Sequence, residues 1–245
     1  MKKLLIVLLV LVVAVILGVI SYITYLGFMP GLSSIFGTNS PKDLGVSYTK
    51  SDYDGFMLKT MTNYTELSDN PTPDKSIIFS GQKDVVLSFT NAQASARINY
   101  DQWAYMPFSN VQLKFNNDGT LEMSSNLVMS RLDGFIASIG GVGYSKADVE
   151  KGLGYLGMVK TDPPIYMKAS VSVTNNEPII NLQALEVGKI RVPIEKFDSN
   201  SFLVKLTKQI FARVPGFRVD SFFLKDNSAD FKGIIPESLQ VQFAK

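Results

Sequence analysis

The 245-residue sequence has no cysteine, no histidine and a single tryptophan. Without cysteine there can be no disulfide, no thiolate nucleophile and no acylated lipoprotein thiol. The double absence also excludes Cys/His zinc sites and every Ser-His or Cys-His catalytic pair. A general acid or base working near neutral pH would have to be a perturbed carboxylate or lysine. Charge imbalance is nearly missing too: 24 Lys+Arg face 22 Asp+Glu, a formal +2. That is not the basic footprint of a nucleic-acid binder.

What the chain does have is one long apolar run. From Leu4 to Ile20 it holds only aliphatic residues, Ala14 and Gly18, and no charge appears before Phe28. Leu4 to Leu26 as a helix measures about 34 Å, enough to cross a hydrocarbon core with some tilt. Lys2 and Lys3 precede it, so the positive-inside rule leaves the N-terminus cytoplasmic and places the rest outside the cell membrane. Tyr22, Tyr25 and Phe28 fall at the outer interface, where aromatic rings collect. A cleaved signal peptide is the rival reading. The run exceeds a signal h-region, however, and no A-x-A site follows. Setting Lys2 and Lys3 aside leaves basic and acidic residues equal in number, so the exported part has no net charge.

The expected organisation is an anchor over residues 1–28, a Pro/Gly/Ser-rich connector over 29–44 and one α+β domain over 45–245. Capping boxes at Thr49–Asp52 and Thr90–Gln93 predict helices running to about Thr60 and Asn99. Two further boxes, at Ser130–Asp133 and Ser145–Asp148, predict helices near 131–139 and 146–156, broken by Gly140-Gly141. Val85–Phe89 reads as a strand, and Ser68–Lys75 as a turn-rich break. Asn116-Asn117-Asp118-Gly119 turns one hairpin and Asn175-Asn176 a second, longer one. Phe202, Leu203, Leu206, Ile210, Phe211 and Val214 repeat at helical spacing and stop at Pro215-Gly216. Strands at Arg218–Leu224, Ala229–Lys232 and Leu239–Phe243 close the chain.

Three motifs carry little chemistry. Gly152-x-Gly154-x-x-Gly157 follows a helix rather than a strand, so small residues packing a helix end explain it better than a dinucleotide site. Ser47-x-x-Lys50 and Ser68-Asp69-Asn70 mimic β-lactamase elements but crowd into one short stretch, and no K-T-G follows. Asp52, Asp54, Asp101, Asp133, Asp148 and Glu150 form no calcium loop, and several are explained as helix caps. No catalytic, metal or cofactor-binding residue emerges. Tyr100, Trp103 and Tyr105 form an aromatic cluster that is a binding surface patch, a second membrane contact or core.

Four stretches in order, VVLSFTNAQASARIN, VQLKFNNDGTLEMSSNL, LQALEVGKIRVPI and the amphipathic helix leading into VPGFRVDSFFLKDNSADFKGIIPE, resemble membrane-anchored bacterial envelope proteins akin to tubular lipid-binding domains. The resemblance covers Val85 to Pro236. It implies antiparallel hairpins wrapping a long amphipathic helix, with an apolar groove between them, and no catalytic residue or cofactor. In that reading Phe202, Leu206, Ile210 and Phe211 line a site for a lipid or other apolar ligand. The competing expectation is a solid-core surface or scaffold protein acting through protein partners. An enzyme ranks third.

Overall fold

The computed structural model describes residues 2–26, 32–35, 38–69, 71–141, 162–196 and 198–244. Helix α1 covers Lys2–Tyr25, although the side chains of residues 2–12, including Lys2 and Lys3, lie outside the described set. Among the described residues no helix is long and apolar enough to cross a membrane, so the expected span rests on the sequence. The helix end is tied down. The Thr24 carbonyl accepts hydrogen bonds from Ser33 Oγ of α2 (Leu32–Ile35) and from Thr38 Oγ1, at 3.1 and 2.8 Å. The described part of the connector is docked: Gln112 Oε1 accepts the N–H of Leu44 at 2.7 Å, and Asn126 Nδ2 donates to the Asn39 carbonyl.

Local signals place two helices and the first hairpin where the sequence expects them. Helix α3 (Lys50–Thr60) begins with the Thr49/Asp52 capping box. It leads into the short strand β1 (Asn63–Glu66), and beyond a 3-10 turn at Pro73–Lys75 lies β2 (Ile77–Ser80). Strand β3 (Lys83–Thr90) runs directly into α4 (Asn91–Asn99), whose Thr90/Gln93 box is complete. Strands β4 (Phe108–Phe115) and β5 (Thr120–Leu127) pair across the Asn-Asp-Gly turn, where Gly119 supplies the required positive φ of 74°.

Helix α5 (Met129–Ser138) follows, but not by the expected cap. Val128 is the N-cap, so Ser130 lies inside the first turn. The Met129 N–H is satisfied from a distance, by Asp162 Oδ1 at 2.9 Å. The expected helix at 146–156 and the glycine motif at 152–157 lie outside the described residues.

The long hairpin β6 (Pro164–Thr174) and β7 (Glu177–Val187) turns at Asn175-Asn176, both in the left-handed region. A two-residue strand β8 (Ile190–Arg191) folds back on β7. Helix α6 (Ser199–Arg213) is capped by Asp198, and β9 (Arg218–Lys225), β10 (Ser228–Ile235) and β11 (Ser238–Val241) complete the chain.

The large sheet is antiparallel and runs β3-β10-β9-β6-β5-β4, with β7 on the other edge of β6 and β8 beyond it. Register breaks at Ser109/Gln112, Lys168/Ala169 and Lys232/Gly233 bend the strands. At Gly233 the Arg218 carbonyl oxygen stands 2.0 Å from where a Cβ would sit, so only glycine fits that bulge. The outcome is a curled half-barrel. A smaller sheet, β1-β11-β2, pairs β1 parallel and β2 antiparallel to β11, and neither β1 nor β2 is among the strands expected from sequence.

The helix against the inner face of the sheet differs from the one expected. The core gathers Ala94 of α4, Phe115 and Ala229, with Phe89, Leu113, Leu121, Phe222 and Leu224 around them. Small residues on α4 let its backbone approach the sheet, and no linker separates it from β3. The longer α6 has no buried residue and lies along β7, joined by Asn200 Oδ1 accepting the Leu182 N–H at 2.8 Å and by a Lys208–Glu177 ion pair.

Candidate functional site

Trp103 organises the region beside the small sheet. Asp101 accepts the Trp103 N–H at 2.8 Å and the Tyr64 hydroxyl at 2.9 Å, and pairs with Arg97. Burial, with Asp101 alongside, pushes the Tyr64 phenol well above its usual range, so it stays a donor to that carboxylate. The indole Nε1–H donates to Ser76 Oγ at 3.1 Å, and the backbone bridges to Phe243. Trp103 is therefore fixed at both ends and only 6% exposed.

One wall beside it is β2, through Ile77, Ile78 and Phe79. The opposite wall is α5, through Phe135, Ser138 and Ile139. The C-terminal end of α6 closes the third side with Ile210, Arg213, Val214 and Pro215. Together they line a half-open apolar cavity of about 440 Å³. A second depression, of about 400 Å³, shares Phe79 and Pro215 and continues over Ser80–Gln82.

Polar bonds lock two of these walls together. Gln209 Nε2 donates to the Ile139 carbonyl at 3.0 Å and also to that of Gly141. Arg213, one turn further along α6, donates from Nε and Nη2 to the Ser138 carbonyl at 3.1 and 2.9 Å, and from Nη2 to the Asp74 carbonyl at 3.2 Å. The last turn of α5 is thus capped by side chains of α6, satisfying carbonyls that have no partner within their own helix.

Of the residues proposed from sequence to line a ligand site, Ile210 borders the cavity and is 38% exposed. Phe202, Leu206 and Phe211 are half-buried and do not border it. Phe211 instead packs its ring on Phe217, 5.1 Å between centroids. The aromatic cluster divides. Trp103 and Tyr105 stay together in a T-shaped pair at 6.2 Å, with Tyr105 lying over Gly134 of α5. Tyr100 faces away, against Tyr48 and Tyr53.

Arg213, Phe135, Ile139 and β2 were missed. Ile77-Ile78-Phe79 is a short apolar run bounded by Ser76 and Ser80-Gly81, which is a strand signal.

The tempting acids have ordinary roles. Asp52 completes the α3 cap, Asp54 pairs with Lys50, and Asp148 and Glu150 lie outside the described residues. Among the described residues no group of acidic side chains could hold a metal ion. No protein-family model, curated protein or solved structure matches the chain.

Proposed function

We propose that this chain is a single-pass protein of the cell membrane whose extracytoplasmic α+β domain binds a lipid or other apolar ligand, without catalysis. The observation that carries this reading is the cavity beside Trp103. Its volume of about 440 Å³ lies within the ~300–1,000 Å³ of small-molecule pockets, and aliphatic and aromatic side chains dominate its walls. Each buried CH₂ of an acyl chain would contribute about 0.8 kcal/mol there. The site differs from the groove expected between the curved sheet and a long helix, because α4 and its core cluster occupy that concavity.

The membrane part of the reading is supported by the uncharged run Leu4 to Leu26 in the sequence. Val13, Val15, Ile16, Leu17 and Val19 are all exposed on α1, an aliphatic surface that water does not favour. The resemblance to envelope proteins akin to tubular lipid-binding domains is consistent with both parts.

Native mass spectrometry of the full chain, released from membranes in mild detergent, tests the ligand. An adduct of lipid mass that survives purification, or can be reloaded, is expected. A bare chain that takes up no lipid would remove the reading. A second reading has its own observation: Val86 and Phe223 stand exposed on the sheet, at 79% and 47%, a surface suited to a protein partner. A bare chain that is recovered crosslinked through that face would favour it.

A further inference from the structure

We propose, resting on the ligand reading above, that the cavity takes an anionic amphiphile: an acyl tail between β2, α5 and Ile210, and a carboxylate or phosphate headgroup on Arg213. Among the described residues Arg213 is the only charged one lining the cavity. Its guanidinium is already aimed, because three N–H···O bonds to the Ser138 and Asp74 carbonyls fix Nε and Nη2. Those acceptors are neutral, so the positive charge is oriented without being cancelled. Among the described residues Arg213 forms no ion pair, and Nη1 donates to no acceptor.

Asp74, an acid within its field, has Thr72 as its first partner and feels Arg213 only as a weaker influence. A guanidinium held this way matches a planar carboxylate or a phosphate, and a hydrogen bond to an ionised group is about twice as strong as a neutral one. Arg213 is exposed at the cavity rim, where an anionic headgroup would take the place of water on its free donor, and a polar ligand without a tail would leave the aromatic walls uncovered. The combination selects a molecule with both parts.

The test compares octanoate with octanol, two probes with the same tail, by calorimetry on the full chain in phosphatidylcholine nanodiscs. Empty nanodiscs provide the background. Arg213→Gln is expected to weaken octanoate about tenfold or more while octanol changes little, since the lost bond is charge-assisted. Arg213→Lys keeps the charge and should fall between. Wild-type octanoate binding should also weaken as salt rises, and octanol binding should not. Octanol further reports whether the Arg213→Gln cavity is intact, because Arg213 also caps α5. Equal losses for both probes, or octanol binding without octanoate, would overturn the headgroup assignment and leave the apolar site standing. Failure of the wild type to bind either probe would overturn the ligand reading itself.

Discussion

The free edge of β4 is closed by three side chains rather than by another strand. Asn91, Ser95 and Asn99 recur every four residues on one face of α4. They accept the N–H groups of Phe115, Leu113 and Val111 at 2.8, 2.8 and 2.9 Å. Four helical residues rise about 6 Å and two strand residues about 6.7 Å, so one helix face keeps step with every second amide. Asn99 Nδ2 also donates to the Val111 carbonyl at 2.8 Å. Ser95→Ala leaves the Leu113 amide without an acceptor and should cost about 1–3 kcal/mol in thermal unfolding of the full chain. Asn99→Ala strands both groups of Val111 and should cost more. Losses under about 0.5 kcal/mol, as at a neutral surface position, would contradict this edge-sealing role.

Burial alone would raise the Glu122 carboxyl, but hydrogen bonds from Tyr166 and Asn116, with Lys168 and Lys114 nearby, outweigh it and hold the group below its ordinary 4.5. Glu122 is thus deprotonated more readily in the folded chain than in the unfolded one. Its contribution is complete above pH 4.5 and lost as pH falls through the folded value. The stability gap between wild type and Glu122→Gln should narrow below that pH, read by thermal unfolding across an acid series. A gap that stays constant would show that Glu122 acts by packing alone.

At the scale of elements, α5 depends on a residue without a side chain. A Cβ on Gly134 would lie 2.0 Å from Tyr105 Cδ1, inside the ring that packs against Trp103. Gly134→Ala should therefore destabilise by about 1–3 kcal/mol and shift Trp103 emission. Gly18→Ala, where nothing lies within 4 Å, should do neither. An unshifted emission would mean that Tyr105 does not hold the indole in place.

Elements whose ends are determined by adjacent residues were legible in the sequence. The Thr49 and Thr90 boxes, the Asn-Asp-Gly hairpin and the Asn175-Asn176 turn each satisfy their own backbone locally. Elements determined from afar were not. Helix α5 starts where Asp162 supplies an acceptor, and β1 exists only by pairing in parallel with β11, far along the chain. A capping box at Ser130–Asp133 looks the same in sequence whether or not the chain has already turned helical at Met129.

At the scale of the molecule, the curled sheet packs its core residues against Ala94 of α4, and the open volume lies outside that core, where the small sheet, α5 and the end of α6 meet. Trp103 and Ile210 were both conspicuous in the sequence, one as a lone aromatic and one in an amphipathic repeat. Their meeting was not legible, because it depends on β2 pairing with β11 and on Arg213 gripping the end of α5. The orientation of the molecule is open to a direct check. Protease added to intact spheroplasts should degrade the domain beyond residue 45, and full protection would reverse the proposed topology.

The lone tryptophan lines the cavity proposed to hold an apolar chain and reports on it without labelling. Octanol carrying bromine at mid-chain, titrated onto the full chain in nanodiscs, quenches an indole that it touches. A saturable fall in Trp103 emission, reversed by unbrominated octanol, is the expected result. Quenching that only rises in proportion to added bromo-octanol, with no competition, would contradict a ligand site at Trp103.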